Sequence, residues 1–444
     1  MNIPLNWLAE YVKLPKDTKV LTDKLTSVGH MLDKVTEVGE ETVIDLELRG
    51  NRADMFGLIG VAREVAVITT AKLTSPPVTL LPAVEPTSGL VNVQPSAVGL
   101  VYRYTAVKLQ VVVKPSPAWL VNRLAAYGIP AVNNIVDITN YVMVETSHPL
   151  HAFDGDKIKG GQLILRRGRR GEKFATVQQG MSLTLSDQDL VIADTASVHG
   201  LTIIGGADSR ITQSTSHIIL ESAVYNPTGS RRTARRLKTL TEAGNRHEKH
   251  QDPQGVQFAL SRAIYLIGQL AEGKIDSLTS DYYPHPTKAK TIDFDFTEVA
   301  RLTGLAIPRS QAAKILTSLE FKVAGNEVTV PTFRTDIEGP ADIVEEVTRI
   351  VGYDHIPVTP ICEATPVPQT YPSYAVGEKL RDVFTKLGLD EVITLTMTSQ
   401  GEIKLVNPPD PALGYLRSSI SPALIKYVRR LVNLRQPKAM VFEI

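Results

Sequence analysis

Phe333-Arg-Thr-Asp-Ile-Glu-Gly-Pro-Ala-Asp-Ile-Val-Glu-Glu-Val-Thr-Arg-Ile350 is the stretch whose reading decides the organisation of this 444-residue chain. Pro340 suits the first turn of a helix, where a missing N–H costs nothing. On that helix Asp342, Glu345 and Glu346 stand at i, i+3 and i+4, so they share a face. Asp336 enters from the strand or turn just before. Four carboxylates converging on a helix start suit a hard, oxygen-seeking cation such as Mg²⁺. The same spacing suits a solvated acidic first turn favoured by the helix dipole, which is the commoner arrangement. Spacing alone leaves both readings open.

Outward from this stretch, the chain shows a second version of the same design. The earlier one runs Leu21-Thr-Asp-Lys-Leu-Thr-Ser-Val-Gly29, Val43-Ile-Asp-Leu-Glu-Leu48, Asn51-Arg-Ala-Asp54 and Ala62-Arg-Glu-Val-Ala66. The later one runs Ala313-Lys-Ile-Leu-Thr-Ser-Leu-Glu-Phe321, Val328-Thr-Val-Pro331, Arg334-Thr-Asp336 and Glu345-Glu-Val-Thr-Arg349. Each reads helix, alternating strand, Arg-x-Asp turn, helix. Asp54 precedes Glu64 by the interval that separates Asp336 from Glu346. Two winged-helix-like units are the economical reading. Gly60, Arg63 and Glu64 stand where the later version has Asp342, Glu345 and Glu346, so no metal is expected in the earlier one.

Proline-rich stretches divide the rest. They are Ser75–Gly89, Asp281–Lys288 and Pro357–Pro372. The expected domains are 1–75, 93–275, 290–358 and 374–444. The fold class is α+β multidomain, with the two small units flanking a larger mixed α/β unit. Hydrophobic residues make up 43% and charged residues 21%, which is a globular composition. A net charge of +1 gives no global field to attract nucleic acid, so any basic surface is local. The single cysteine, Cys362, excludes an intrachain disulfide and a Cys-rich zinc site; it reads as incidental. The N-terminus does not read as a signal peptide, and no apolar run is long enough to span a bilayer.

Several stretches resemble the phenylalanyl-tRNA synthetase beta-subunit family, in the family's order. They are Leu5-Asn-Trp-Leu-Ala-Glu-Tyr-Val12, Asn51-Arg-Ala-Asp-Met-Phe-Gly-Leu-Ile-Gly-Val-Ala-Arg-Glu64 and Asn133-Asn-Ile-Val-Asp-Ile-Thr-Asn-Tyr-Val-Met143. Pro149-Leu-His-Ala-Phe-Asp154, Glu221-Ser-Ala223, Arg231-Arg-Thr-Ala-Arg-Arg-Leu237 and the opening stretch follow. Leu416-Arg-Ser-Ser-Ile-Ser-Pro-Ala-Leu424 and Phe442-Glu-Ile444 resemble the start of the family's class II catalytic-like antiparallel-sheet module. The resemblance implies a ligase component in the cytoplasm, paired with an alpha subunit as an alpha2-beta2 heterotetramer. The alpha subunit would use ATP to attach phenylalanine to tRNA. The beta chain would supply scaffold, tRNA contacts and an editing site against tyrosine. Asp336, Asp342, Glu345 and Glu346 would bind Mg²⁺, and His151, Thr139 and Glu221 would line the editing pocket. A pocket with a polar partner can select a phenolic hydroxyl.

Other readings of these residues stand beside that one. His151 next to Phe153 is equally a core histidine. Arg231, Arg232, Arg235 and Arg236, with Lys238, form a basic helical stripe suited to RNA phosphates or simply to solvent. Arg166, Arg167, Arg169 and Arg170 form a second basic loop. There are also departures from the family. Leu201 and Thr202 replace small residues before the Ile203-Ile-Gly-Gly206 turn and should crowd an aminoacyl pocket, so editing is expected to be impaired. Leu240-Thr-Glu-Ala-Gly-Asn-Arg-His-Glu-Lys-His250 loses an aromatic of the family pattern. Between Thr26 and Val43 there is no room for the usual oligonucleotide-fold insertion. The chain stops at Ile444 inside the catalytic-like module, as a fragment or a naturally short protein. No P-loop, His-Glu-x-x-His or nucleophile elbow is present. A stand-alone RNA-binding protein, a hydrolase of aminoacyl-tRNA, and a catalytically silent paralogue are the alternatives.

Overall fold

The computed structural model describes the chain except residues 82–83, 86–88, 179, 361–368 and 437. Cys362 and the middle of the third proline-rich stretch lie outside the described residues. The chain forms two compact units, Met1–Val358 and Thr359–Ile444.

The first unit begins with a small α+β segment. Helix α1 (Thr18–Ser27) starts at Asp17, whose carboxylate accepts the Lys19 N–H. Strands β1 (Met31–Val38) and β2 (Glu41–Glu47) form an antiparallel hairpin, and residues 2–4 pair with the far edge of β2. Helix α2 (Leu58–Thr69) follows a turn over residues 53–56. At Gly60 any Cβ would lie 2.0 Å from the Asp54 carbonyl oxygen, so only glycine lets α2 sit on that turn.

The large segment carries two sheets. In the first, β3 (Val101–Gln110) precedes α3 (Asn134–Thr146), which is capped by the Asn133 side chain through the Ile135 and Val136 N–H groups. The chain continues through β4 (Leu150–Asp154), β5 (Leu190–Ala193), β6 (Val198–Leu201) and β7 (His217–Tyr225). The nine-residue β7 lies antiparallel between β3 and β4. Strands β5 and β6 belong to the second sheet, which is closed by the short strand 204–205. Helices α4 (Pro227–Leu237), α5 (Glu242–His247) and α6 (Gly255–Leu270) follow, and α6 packs against α3.

The expected boundary near residue 75 does not separate two cores. One apolar cluster contains Ile3, Trp7, Leu25 and Val65 together with Leu124, Tyr141 and Ile267. The Trp7 ring stacks on Tyr141 with centroids 4.3 Å apart. Buried Glu145 of α3 accepts from Tyr11 at 2.5 Å and from Arg262 of α6 at 2.9 Å. Sequence punctuation marks the connection between these segments but not their shared burial.

The third segment has its own core, built on Phe294, Phe321, Val328 and Val347. It comprises α7 (Arg309–Ser318), the middle strand β8 (Glu327–Thr329) of a three-stranded sheet, and α8 (Pro340–Val351). Pro340 occupies the first turn of α8, as its missing N–H allows. Val67 of α2 packs on this core.

The second unit holds α9 (Pro372–Lys386) and α10 (Ser421–Asn433). Its strands are short. Residues 397–398 and 403–404 flank 415–416 in antiparallel pairs, whereas 390–391 pairs parallel with 441–442.

Candidate functional site

Register across the first sheet builds the pocket. Glu221 on β7 lies directly opposite His151 on β4, so the two side chains rise from the same face. Two residues further along each strand, Phe153 meets the His151 ring edge-on at 4.5 Å, and Ala223 keeps the floor low. Tyr225 of β7 and His247 of α5 complete the inner wall; their rings lie 4.9 Å apart. The roof is the turn after β6. A Cβ at Gly205 would lie 2.3 Å from the His151 ring, so the glycine is what lets the turn settle on the imidazole.

Three polar atoms here have no hydrogen-bond partner among the described residues. Glu221 Oε2, His151 Nε2 and His247 Nδ1 are all buried and unpaired. Burial raises the Glu221 carboxyl well above the usual carboxylate range. Burial lowers the His151 imidazole to about 4, and burial with nearby His148 lowers His247 to about 3. Burial thus favours the protonated form of Glu221, and at neutral pH the two imidazoles are uncharged. The acid can donate a hydrogen bond to a hydroxyl oxygen, and an uncharged imidazole nitrogen can accept one.

The space is small. Leu201 and Thr202 line the pocket, and the remaining cavity is about 60 Å³. That is room for a few waters, against about 300–1,000 Å³ for a typical ligand site. Thr139, by contrast, does not join His151 and Glu221. It sits on α3, and its hydroxyl donates to the Val136 carbonyl at 2.7 Å. A threonine inside a helix commonly turns back in this way. Tyr225 and His247 were missed by sequence reasoning. Tyr225 was legible from its position four residues along the strand from Glu221; His247 depends on the docking of α5.

The four acidic residues of the opening stretch are not gathered around an ion. Arg334 binds Asp336 through Nε and Nη2, each at 2.9 Å. Arg334 and Arg349 both bind Glu346, at 2.5–2.9 Å. Asp342 Oδ2 accepts the N–H groups of Glu338 and Gly339 at 2.7 and 2.8 Å. Glu345 faces solvent. Among the described residues no group of three or more His, Cys, Asp or Glu side chains could hold a metal. As arranged, these side chains do not present a gathered set of free oxygens to Mg²⁺. Two arginines, at positions 334 and 349, take the oxygens the ion would need.

The earlier version of the motif makes the same bonds. Arg52 binds Asp54 at 2.9 Å and Glu64 at 2.7 Å. Arg349 then reaches across to Glu64 at 2.7 and 2.9 Å. Burial alone would raise both glutamates. The arginines prevail, holding Glu64 well below the usual range and Glu346 at about 2. The two small segments are thus joined by one buried ion-pair seam.

The basic stripe divides. Arg231, Arg232 and Arg235 of α4 line an open groove of about 530 Å³, together with Gly50, Thr228, Lys249 and His250. Arg236 faces the other way and is bound to Asp189 and the Thr184 carbonyl, so it does not belong with the other three. In the 166–170 loop, Arg166 is clamped by Glu172 and Arg167 by backbone carbonyls. Arg169 and Arg170 are exposed. Arg246, within the Leu240–His250 stretch, is buried against Tyr127, Glu242 and the Phe56 carbonyl.

Three family descriptions match consecutive parts of the chain. They are the B3/4 domain at residues 101–272, the tRNA synthetase B5 domain at 292–353, and the phenylalanyl tRNA synthetase beta chain CLM domain at 356–444. The phenylalanine–tRNA ligase beta subunit of Geobacter metallireducens is 37% identical over 429 residues, covering 91% of this chain and 53% of that protein. The beta subunit of Rhodopirellula baltica is 36% identical over 421 residues, covering 92% of this chain and 60% of that protein. The chain thus spans between about half and three-fifths of these relatives' length. A crystal structure of an N-terminal fragment of the Pyrococcus horikoshii phenylalanyl-tRNA synthetase beta subunit is similar at a TM-score of 0.46 and 16% identity, over 79% of this chain and 99% of that one.

Proposed function

Because this chain belongs to the phenylalanyl-tRNA synthetase beta-chain family, we propose that it serves as the beta-type partner of a phenylalanine–tRNA ligase. In this reading an alpha chain carries the ATP-dependent attachment of phenylalanine to tRNA, and Mg²⁺ enters with that ATP. This chain contributes scaffold, tRNA contacts through the arginines of α4, and an editing-type pocket. The assembly is an alpha2-beta2 heterotetramer in the cytoplasm. The observation that carries the reading is the run of three matched domains in one order, with His151 and Glu221 paired across β4 and β7 inside the first of them.

The pocket supports recognition of a phenolic hydroxyl but leaves little room for one. Glu221, whose protonated form burial favours, can donate to the hydroxyl oxygen, and unpaired His151 Nε2 can accept from a reacting water. Leu201 and Thr202 occupy the volume an aminoacyl group needs. Editing is accordingly weak in this proposal. The same small cavity weighs against the alternative of a stand-alone aminoacyl-tRNA hydrolase. Co-expression with an alpha chain from the same genome tests the main reading. A stable complex that charges tRNA with phenylalanine supports it. Failure of a full-length version to form that complex or to support charging refutes it.

A further inference from the structure

We infer that the cavity where α2, the end of α3, the start of α6 and the third segment meet is a site for a small organic cation, an amidine or amine on a single flat ring, whose charged head pairs with Asp252. This site is separate from the pocket between β4 and β7 and does not rest on the proposed function. Its volume is about 250 Å³, against about 60 Å³ for that pocket. That suits one ring and its head group, and falls short of the about 300–1,000 Å³ of a typical ligand site. Ile59, Leu73, Phe258 and Phe333 line the cavity, and each is only half-buried. A flat apolar body placed among them would take that surface from water.

The sign of the head group follows from the carboxylates on the wall, Asp54, Asp252 and Glu320. Arg52 binds Asp54, and Arg63 binds Glu320 at 2.8 Å. The Arg63 guanidinium also lies 3.8 Å from the centre of the Phe333 ring. Asp252 differs from the other two. It is 8% exposed, and its carboxylate accepts from the Gln254 N–H at 2.8 Å and from the Thr332 hydroxyl at 2.7 Å. Both partners are uncharged, and Asp252 has no ion pair among the described residues. The ring nitrogens of His148 are bonded to the Thr146 and Asp252 carbonyls, not to this carboxylate. A buried carboxylate is ordinarily paired with a cation. Each of its oxygens keeps a lone pair after one hydrogen bond, so an amidine or ammonium can add to the bonds already made. An anion would meet three carboxylates here, and a neutral ring would leave Asp252 without a counter-charge.

The test uses the whole chain and three probes of one size, benzamidine, benzamide and benzoate, which are cationic, neutral and anionic at neutral pH. Calorimetry gives affinity, and hydrogen exchange with and without probe locates the site. Benzamidine should bind saturably and about tenfold more tightly than benzamide, the worth of one charge-assisted hydrogen bond. Benzoate should not bind. Benzamidine should slow exchange in the first turn of α6 and at Phe333. Asp252→Asn should abolish the advantage of benzamidine over benzamide. Asp208→Asn removes an exposed carboxylate outside the cavity and should preserve it. Phe258→Leu should weaken both probes alike, since it trims the apolar wall. Should Asp252→Asn fail to fold, the preference of the parent for the cation and its exchange footprint decide the matter. Absence of saturable benzamidine binding, equal affinity for benzamide, or protection confined to other parts of the chain would overturn the site. A folded Asp252→Asn that still prefers benzamidine would overturn Asp252 as its partner.

Discussion

Arg349→Met tests the seam that joins the two small segments. Arg349 is 4% exposed and makes bonds to both oxygens of Glu64 and both of Glu346. Removing one partner of a buried ion pair costs about 3–5 kcal/mol, because a charge is left without compensation. Here each glutamate keeps a second arginine, Arg52 for Glu64 and Arg334 for Glu346. The lower end, about 3 kcal/mol, is therefore expected. In the Glu64→Gln background the same substitution should cost less, with a coupling of at least about 1 kcal/mol. Unfolding of so large a unit need not be two-state, so hydrogen exchange in α2 and α8 should be measured beside the urea midpoint. Both helices should lose protection together. A pH series adds a second reading. The carboxyls are depressed, Glu346 to about 2. Their stabilisation is thus present above about pH 4.5 and is lost as pH falls toward 2. Arg349→Met should make that acid loss smaller. A change within about 0.5 kcal/mol, the range of an unremarkable surface substitution, or unchanged exchange in α2, would refute the seam.

Three further outcomes follow from the same geometry. Stability should fall as pH drops from 6.5 toward 4, because His151 and His247 are held uncharged at about 4 and about 3 and must take up protons on unfolding. His247→Gln should flatten that slope in a thermal-melt series; an unchanged slope would place the sensitivity elsewhere. Gly205→Ala should displace the roof, since its Cβ would sit 2.3 Å from the His151 ring; a cost of about 1–3 kcal/mol is expected from such overpacking, and a melting temperature equal to the parent's would contradict it. Calorimetric titration with Mg²⁺ should give the same isotherm for the parent chain and for Asp336→Asn, whereas a loss of binding in the variant would restore the ion to this cluster.

Much of the design was legible along the chain, and the losses have physical causes. The repeated Arg-x-Asp turn and the matching Asp–Glu interval could be read directly, and both turns make the same internal bonds. The bond between Arg349 and Glu64 could not, because 285 residues separate them. The acidic face of α8 was read from carboxylate spacing without the two arginines that claim its oxygens. Likewise Arg236 belongs to the stripe by helical period but is drawn away by Asp189, 47 residues distant. His151 and Glu221 were found as separate motifs; only strand register sets them side by side. Thr139 keeps a local partner, since a hydroxyl within a helix has a nearby carbonyl to bond. Near residue 75 proline marks chain conformation, while Trp7 and Tyr141 show that the segments on either side share a core.

The narrowed pocket is tested most directly by deacylation of purified tyrosyl-tRNA, measured for the parent chain and for Leu201→Ala with Thr202→Gly. Leu201 also contributes to a small apolar cluster, so the double variant's melting temperature should be recorded with the rate. The parent should hydrolyse weakly or not at all, and the double variant, with the wall cut back beside Glu221 and His151, should hydrolyse faster. Robust deacylation by the parent, or no gain in a folded double variant, would contradict the reading that these two side chains close the site.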